Sequence, residues 1–285
     1  MTTSINTHNF VKRNRNTDKS ILLFPVSLQS LQFKDPEFES SIFGDRGKAV
    51  IRTDKNTVVK AGLSSDYKLV THSDVITAVE AVLDANNLKF QVHDCFLGGI
   101  RDGKMFLQYT LPDYKIDINK DAYTPFIQIH NSYDKSSLFK AVCGLFRIKC
   151  SNGLVLLQST DVLLNAKHYG KTIDLSKLAF DLNTFLENLN IAKTKMTKLV
   201  EKIFEVDFLN DGLLKMTESI LEKKKDQKAF EESGLVDAYV AELGLNQYAL
   251  MNAFTDYVTH TLASRVTNYD RVLKSYSAIE TIFLN

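Results

Sequence analysis

The chain has 285 residues, of which 44% are hydrophobic and 24% charged, and its formal net charge is +1. These are ordinary globular values. They argue against large-scale disorder, and nothing global demands an acidic partner. Three cysteines, Cys95, Cys143 and Cys150, are too few and too odd in number for a disulfide framework, fit a reducing compartment and match no zinc spacing.

The first twenty residues are polar and basic. Lys12, Arg13, Arg15 and Lys19 are spaced by Asn, with no apolar run of the kind a signal peptide carries. Residues 1–20 are read as a mobile arm, either a solvated tail or a phosphate-contacting one. The charge asymmetry behind it is mild. Residues 1–150 hold 20 Lys+Arg against 16 Asp+Glu, a net +4, and residues 151–285 hold 15 against 18, a net −3.

Residues 21–174 read as a β-rich α+β domain. "KAVIRTDKNTVVKAG" predicts a hairpin, Ala49–Arg52 against Thr57–Lys60, turning at "TDKN". "SDVITAVEAVLDANNL" predicts a helix with Ser73 as N-cap and Val75, Val79, Val82 and Leu83 on its apolar face. "KFQVHDCFLGG", "KMFLQYTL", "YKIDI" and "PFIQIH" then read as strands punctuated by glycine turns. Their alternation predicts a half-exposed antiparallel sheet with the helix packed on one side. From Leu175 the period changes. Leu182, Phe185, Leu186 and Leu189 are spaced for one helix face, and so are Met196, Leu199, Val200 and Ile203. "LEKKKDQKAFEES" reads as a charged, exposed stretch ended by Gly234. Residues 175–285 form a helical region packed on or beside the sheet. Strands followed by helices give an α+β fold, an antiparallel-rich sheet with a packed helix and then a helical second half.

The segment "HNSYDKSSLFKAVCGLFRIKCSNGL", residues 130–154, sets polar residues on both sides of a strand. Leu138, Val142, Phe146, Ile148 and Cys150 fall on one parity. Phe139, Ala141, Cys143, Leu145, Arg147 and Lys149 fall on the other, so the second face turns cationic at its end. Lys140 breaks the apolar parity, and Gly144 marks a bulge or a close backbone approach. "SNG" is turn chemistry. Cys143 and Cys150, seven apart on one strand, are expected to be buried thiols pointing to opposite faces.

"NSYDKSS" followed by "FRIKCSNGL" resembles the central signature of the phage/plasmid-like protein family, domain of unknown function 932. "LSSDYKLVTHSDVITAVEAVL" at 63–83 is similar to its early tyrosine-plus-helix segment, and "QYALMNAFTDYVTH" at 247–260 to its late helix. The order and spacing agree over roughly residues 45–265. An Asn-rich amino arm and the absence of tryptophan depart from the pattern. The resemblance implies a phage, plasmid or prophage origin, and with it the cytoplasm of a bacterial host. It brings no established activity. Its polar motif residues are Asn131, Tyr133, Asp134, Asn152, Gly153, Asn252, Tyr257 and His260.

The catalytic signals are weak. There is no P-loop, nucleophile elbow or H-E-x-x-H motif. His93, Asp94, His130 and Asp134 could be drawn together as a metal or acid–base site, though not at a familiar spacing. Asp113 and Asp117, four apart, would share a strand face and could hold Mg²⁺, or merely be solvated. Tyr257 and His260 suit a helix–sheet contact or a pocket between the two halves. No catalytic residue, metal ligand or cofactor is therefore assigned. Two binding readings stand ahead of a cryptic metal-dependent hydrolase. In the first, the chain binds or anneals single-stranded nucleic acid during replication or recombination, with Lys12, Arg13, Arg15, Lys140, Arg147 and Lys149 as contacts on a cationic, aromatic sheet face. In the second, it is an interaction protein, host-modulating or anti-defence, whose partner is a host or phage protein, or an oligomeric scaffold. A homo-oligomer and no membrane partner are expected.

Overall fold

The computed structural model describes residues 16–31, 47–119, 121–134, 139–149, 152–156, 164–166, 175, 182–204, 208–263 and 269–285. Within them the fold is α+β, with antiparallel strands first and helices dominating after Leu182.

β1 (Val26–Ser30), β2 (Gly47–Arg52) and β3 (Thr57–Ser64) form a small antiparallel sheet in that order. The β2–β3 hairpin turns at "TDKN" as predicted, with Asn56 at φ 46° taking the left-handed step. Val50, Val59 and Leu63 pack with Phe24, Tyr67 and Tyr133 as a small separate core. α1 (His72–Ala85) is capped two residues before the expected position. Its N-cap is Thr71, because Thr71 and Asp74 complete a reciprocal capping box that Ser73 would not make. Val75, Val79 and Leu83 are buried as predicted, Ile76 joins them, and Val82 lies at the margin.

The larger sheet contains β4 (Gln91–Gly98), β5 (Lys104–Thr110), β6 (Ile116–Ile118), β7 (Asp121–Ser132), β8 (Phe139–Arg147), β9 (Gly153–Val155) and β10 (Leu164–Ala166). Its path is β10-β8-β7-β5-β4, all antiparallel, with β6 paired to β7 and β9 to β8. One face carries the row Cys95, Leu107, Ile129 and Ala141, and next to it Tyr109, Ile127 and Cys143. These residues share one hydrophobic core with α1 and with the helical half. The expected half-exposed sheet is corrected here. β5, β7 and β8 are buried on both faces almost throughout. The alternation in the sequence separates an apolar face from a polar-aromatic one, not a dry face from a wet one. Gly144 meets the close-approach expectation. A side chain there would overlap the Leu154 carbonyl and the Phe126 ring.

The helical half comprises α2 (Leu182–Glu201), α3 (Phe208–Ile220), α4 (Lys224–Glu231), α5 (Leu235–Leu243), α6 (Gln247–Asp256) and α7 (Tyr269–Leu284). On α2 the predicted stripe is the buried one, with Phe185, Leu189, Met196 and Leu199 inside. Ile203 falls beyond the helix and is 78% exposed. The charged stretch is not simply exposed either. α4 buries Phe230, Gln227 and Asp226, the last ion-paired to Arg271 of α7. α6 runs directly into a π-helical turn, Tyr257–Leu262.

Candidate nucleic-acid interface

Arg147 ends β8 opposite Tyr123 of β7. Its predicted place on a solvated cationic face is not what the fold gives it, because the residue is fully buried. Its guanidinium donates to Asp121 at 2.7 Å and to Glu242 of α5 at 3.0 Å, and it lies over the Tyr239 ring. Lys149 also pairs with Glu242, at 2.7 Å, and Lys140 pairs with Asp270 of α7. Burial pushes the Glu242 carboxyl up, but hydrogen bonds from Lys149 and Arg147 outweigh it and hold it below the usual range. All three described cations of the predicted contact set therefore bind the helical half of their own chain. The helical region was expected on or beside the sheet, but nothing local to β8 shows which of its carboxylates reach these cations. Lys12, Arg13 and Arg15 lie outside the described residues.

Three of the motif residues, Asn152, Gly153 and Asn252, join the same seam. The Asn152 side chain donates to the Tyr239 hydroxyl at 2.7 Å and to the Asn252 carbonyl at 3.3 Å. Tyr239 in turn donates to Asp256 at 2.7 Å, and burial raises the Asp256 carboxyl above its ordinary range. The Asn252 side chain donates to the Tyr248 carbonyl, and Tyr248 donates to Asp121. Gly153 N–H donates to Thr259 in the π-helical turn. The helix–sheet contact expected of Tyr257 is thus made by Thr259. Tyr257 instead donates to the Asp226 carbonyl of α4, and His260 is half-buried in the same turn.

"HNSYD" serves a different junction. Tyr133 is fully buried, stacks on His72 at 4.0 Å and accepts from the His72 N–H. Asn131 donates to the Val70 carbonyl and sits 3.0 Å from His72 Nδ1. These bonds fix the start of α1 and the small sheet against the end of β7. Asp134 follows in the bend.

The conceivable metal and acid–base sets are not assembled. Among the described residues no group of three His, Cys, Asp or Glu is placed to hold a metal ion. His93 packs on Phe146 at 4.2 Å, Asp94 accepts from Asn16 N–H, and His130 packs edge-on to Phe106 at 5.1 Å. Asp113 lies in a 3-10 turn paired with Lys89, so it shares no strand with Asp117 of β6. Cys143 is a free buried thiol pushed up to about 12 by burial, and Cys150 lies outside the described residues.

The second face of the large sheet is chemically different. In register across four strands it carries Phe96, Phe106, His130 and Lys140. Phe96 and Phe106 stack at 4.7 Å and 22°, and His130 meets Phe106 edge-on. Beside them runs the row Asp94, Gln108, Gln128 and Val142. Gln128 donates to Gln108 at 2.9 Å. Burial, aided by Lys140, lowers the His130 imidazole to about 3, so it is a neutral ring. Phe96, Lys104 and Lys140 are half-buried, whereas Phe106, Gln108, Gln128 and His130 are 5–9% exposed. The face is therefore closed in this state. Its signal was present in the sequence as the same-parity sets Phe106–Gln108 and Gln128–His130.

The segment from Asn16 is tied to this edge of the sheet. Asn16 is clamped on the edge strand β4, accepting from Cys95 N–H at 2.8 Å and donating to Asp94. Lys19 and Tyr109 both bind Glu80 of α1, which holds the same segment down.

A family model described as Domain of unknown function (DUF932) matches residues 61–279. No curated protein and no solved structure matches the chain. Among the described residues no helix is long and apolar enough to cross a membrane.

Proposed function

The chain belongs to the DUF932 family, and on that premise we propose that it is a non-catalytic binder of single-stranded nucleic acid, working in the replication or recombination of a phage or plasmid. One observation carries this reading. Asn16, which follows the basic segment in sequence, is held on the same edge strand that presents Phe96 to the aromatic row. Lys12, Arg13 and Arg15 lie within four residues of Asn16, so chain length alone keeps them within roughly 14 Å of that anchor. Stacking rings beside tethered cations are the material of sequence-tolerant strand binding. Arg147, Lys140 and Lys149 leave the contact set, because their charges are spent on Asp121, Glu242 and Asp270. The closed centre of the face means that a strand engages an opened minor state, which lowers the apparent affinity by the population of that state.

The test is fluorescence anisotropy with a labelled single-stranded oligonucleotide at two salt concentrations. Affinity should fall with salt, by a log–log slope of about −0.7 per phosphate contact, and removal of residues 1–15 should flatten that slope by about two units. Phe96→Ala should weaken binding about tenfold. No binding by the wild-type chain at low salt sinks the reading and favours the protein-interaction alternative, which the near-neutral charge and internally paired cations would suit.

A further inference from the structure

The cations of the chain are unevenly placed. Segments 47–68 and 98–104 hold 7 Lys+Arg against 3 Asp+Glu, a net +4, while the other residues of the chain hold 28 against 31. The two segments meet in space. The first forms β2 and β3, and the second contains the loop between β4 and β5. Arg101 of that loop donates to the Val58 carbonyl of β3, and Asp102 pairs with Arg52 of β2 at 2.9 Å. Arg52 also takes Asp54, so two of the three carboxylates are neutralised within the group. Lys60 of β3 and Arg101 are exposed, and among the described residues neither has an ion-pair partner. The backbone of Arg101 is unusual as well. Among the described residues five other than glycine are left-handed: Asn56, Asn87, Asn119, Asp102 and Arg101. Asn and Asp suit that conformation through short side chains that bond locally, whereas an arginine does not, and glycine would hold the turn at lower cost. Such an outlier points to a requirement beyond the turn. The Val58 bond uses one of five guanidinium N–H groups. The loop also grows out of the stacked rings. Phe96 faces Phe106 in register, and Gly98 faces Lys104 two residues on. Lys104 shares the face of Phe106, and its aliphatic stem runs against Gly99, where a Cβ would meet it at 3.0–3.3 Å.

We propose that this edge of the small sheet is the phosphate-contacting track of the strand-binding surface, with Arg101 and Lys60 at its centre and Lys104 beside the rings. The backbone of a single strand crosses β3 and the β4–β5 loop, and its bases reach the Phe96–Phe106 stack. The proposal rests on the nucleic-acid reading above and deepens it, because it names contacts fixed within the fold. A polyanion gains most from cations that stand without carboxylate partners, since it releases counterions instead of breaking ion pairs. The guanidinium fork fits phosphate oxygens in pairs. Arg101 is held at Val58, and Lys60 lies two residues, about 7 Å, further along β3, so one strand can meet both. Strain in the folded loop places Arg101 before a ligand arrives, which spares the cost of ordering it on binding. An acidic peptide would meet the same charges, but it has no flat bases to lay on the Phe96–Phe106 pair.

The experiment is a salt series by anisotropy with labelled oligothymidylate on the full chain, alongside urea denaturation. The proteins are the wild type, Arg101→Gly, Arg101→Lys, Lys60→Gln and the Arg101→Gly/Lys60→Gln double variant. Each lost contact should flatten the log–log slope by about 0.7, so the double variant should lose about 1.4 units, and Arg101→Lys should keep the wild-type slope. Glycine takes the left-handed conformation freely, so Arg101→Gly should weaken binding without lowering the urea midpoint. A mere tie between the loop and β3 would behave in the opposite way, losing stability and leaving the slope alone. Lys60→Gln, at an exposed site, decides by itself if the glycine variant does not fold. An unchanged slope in the double variant, or a lowered midpoint with the wild-type slope in Arg101→Gly, overturns the track while leaving strand binding intact. Polyglutamate that displaces the label as well as unlabelled oligothymidylate of equal charge does assigns the track to an acidic protein instead. A wild type that binds no oligonucleotide overturns strand binding itself.

Discussion

The two faces of the large sheet come from the same strands and differ in how their polar groups are used. On the helix side, Arg147, Asp121, Glu242 and Lys149 satisfy one another, and Tyr239, Asn152 and Asp256 extend the seam into α6. The Asn152 oxygen in this seam is an under-used acceptor. Such an acceptor is commoner in native structures than an orphan donor. On the other side, Gln108 keeps a lone donor beside stacked rings. The helix-side charges close on one another across the chain, whereas the other face sets a pair of neutral amides beside stacked rings.

Breaking the seam should cost most. Arg147→Met removes the partner of the buried Asp121 carboxylate and should destabilise the fold by about 3–5 kcal/mol, read by urea denaturation. Phe96→Ala, on the half-buried edge, should cost far less stability and far more binding. If Arg147→Met folds as well as the wild type but loses nucleic acid, the two faces have been assigned the wrong way round.

Acid should act next, through the polar-aromatic face. The folded-state imidazole of His130 is lowered to about 3 by burial and by Lys140. The unfolded state therefore binds the extra proton first, from about pH 6.5 downwards. Stability is fully present above that pH and is lost as pH falls towards 3, by about 1.4 kcal/mol per pH unit in mid-window for this one group. Paired carboxylates such as Glu242 add an acid loss of their own at lower pH. His130→Gln should be flatter than the wild type between pH 6 and about 4.5. Equal slopes in denaturation series would show that His130 is not held neutral.

Lys149 sharpens the contrast at its small end. Its side chain is 65% exposed although paired with Glu242. Lys149→Ala should change stability by no more than about 0.5 kcal/mol. It should also leave oligonucleotide affinity unchanged. A loss of binding there would return the seam-side cations to the interface.

Local chemistry was legible along the chain. The hairpin at "TDKN", the buried stripe of α2 and the close approach at Gly144 depend on near neighbours and on periods of two and three to four residues, which a sequence displays directly. The N-cap of α1 slipped from Ser73 to Thr71 because two hydroxyl candidates two residues apart differ in which one finds Asp74 three residues on. The buried side of α4 escaped notice because the partner of Asp226 is Arg271, forty-five residues away.

The α+β class, the order of strands before helices and the polar-aromatic parity of β5 and β7 were determined by the sequence itself, since each follows from spacing within a single element. Where the charges went was decided only by the tertiary structure. Arg147 lies ninety-five residues from Glu242, and nothing local to β8 distinguishes an arginine facing water from one facing a carboxylate of a helix folded back over it. Burial and electrostatics depend on what arrives from elsewhere in the chain. Packing of α5 and α6 turned the expected contact surface into a seam, and left the candidate interface on the opposite face.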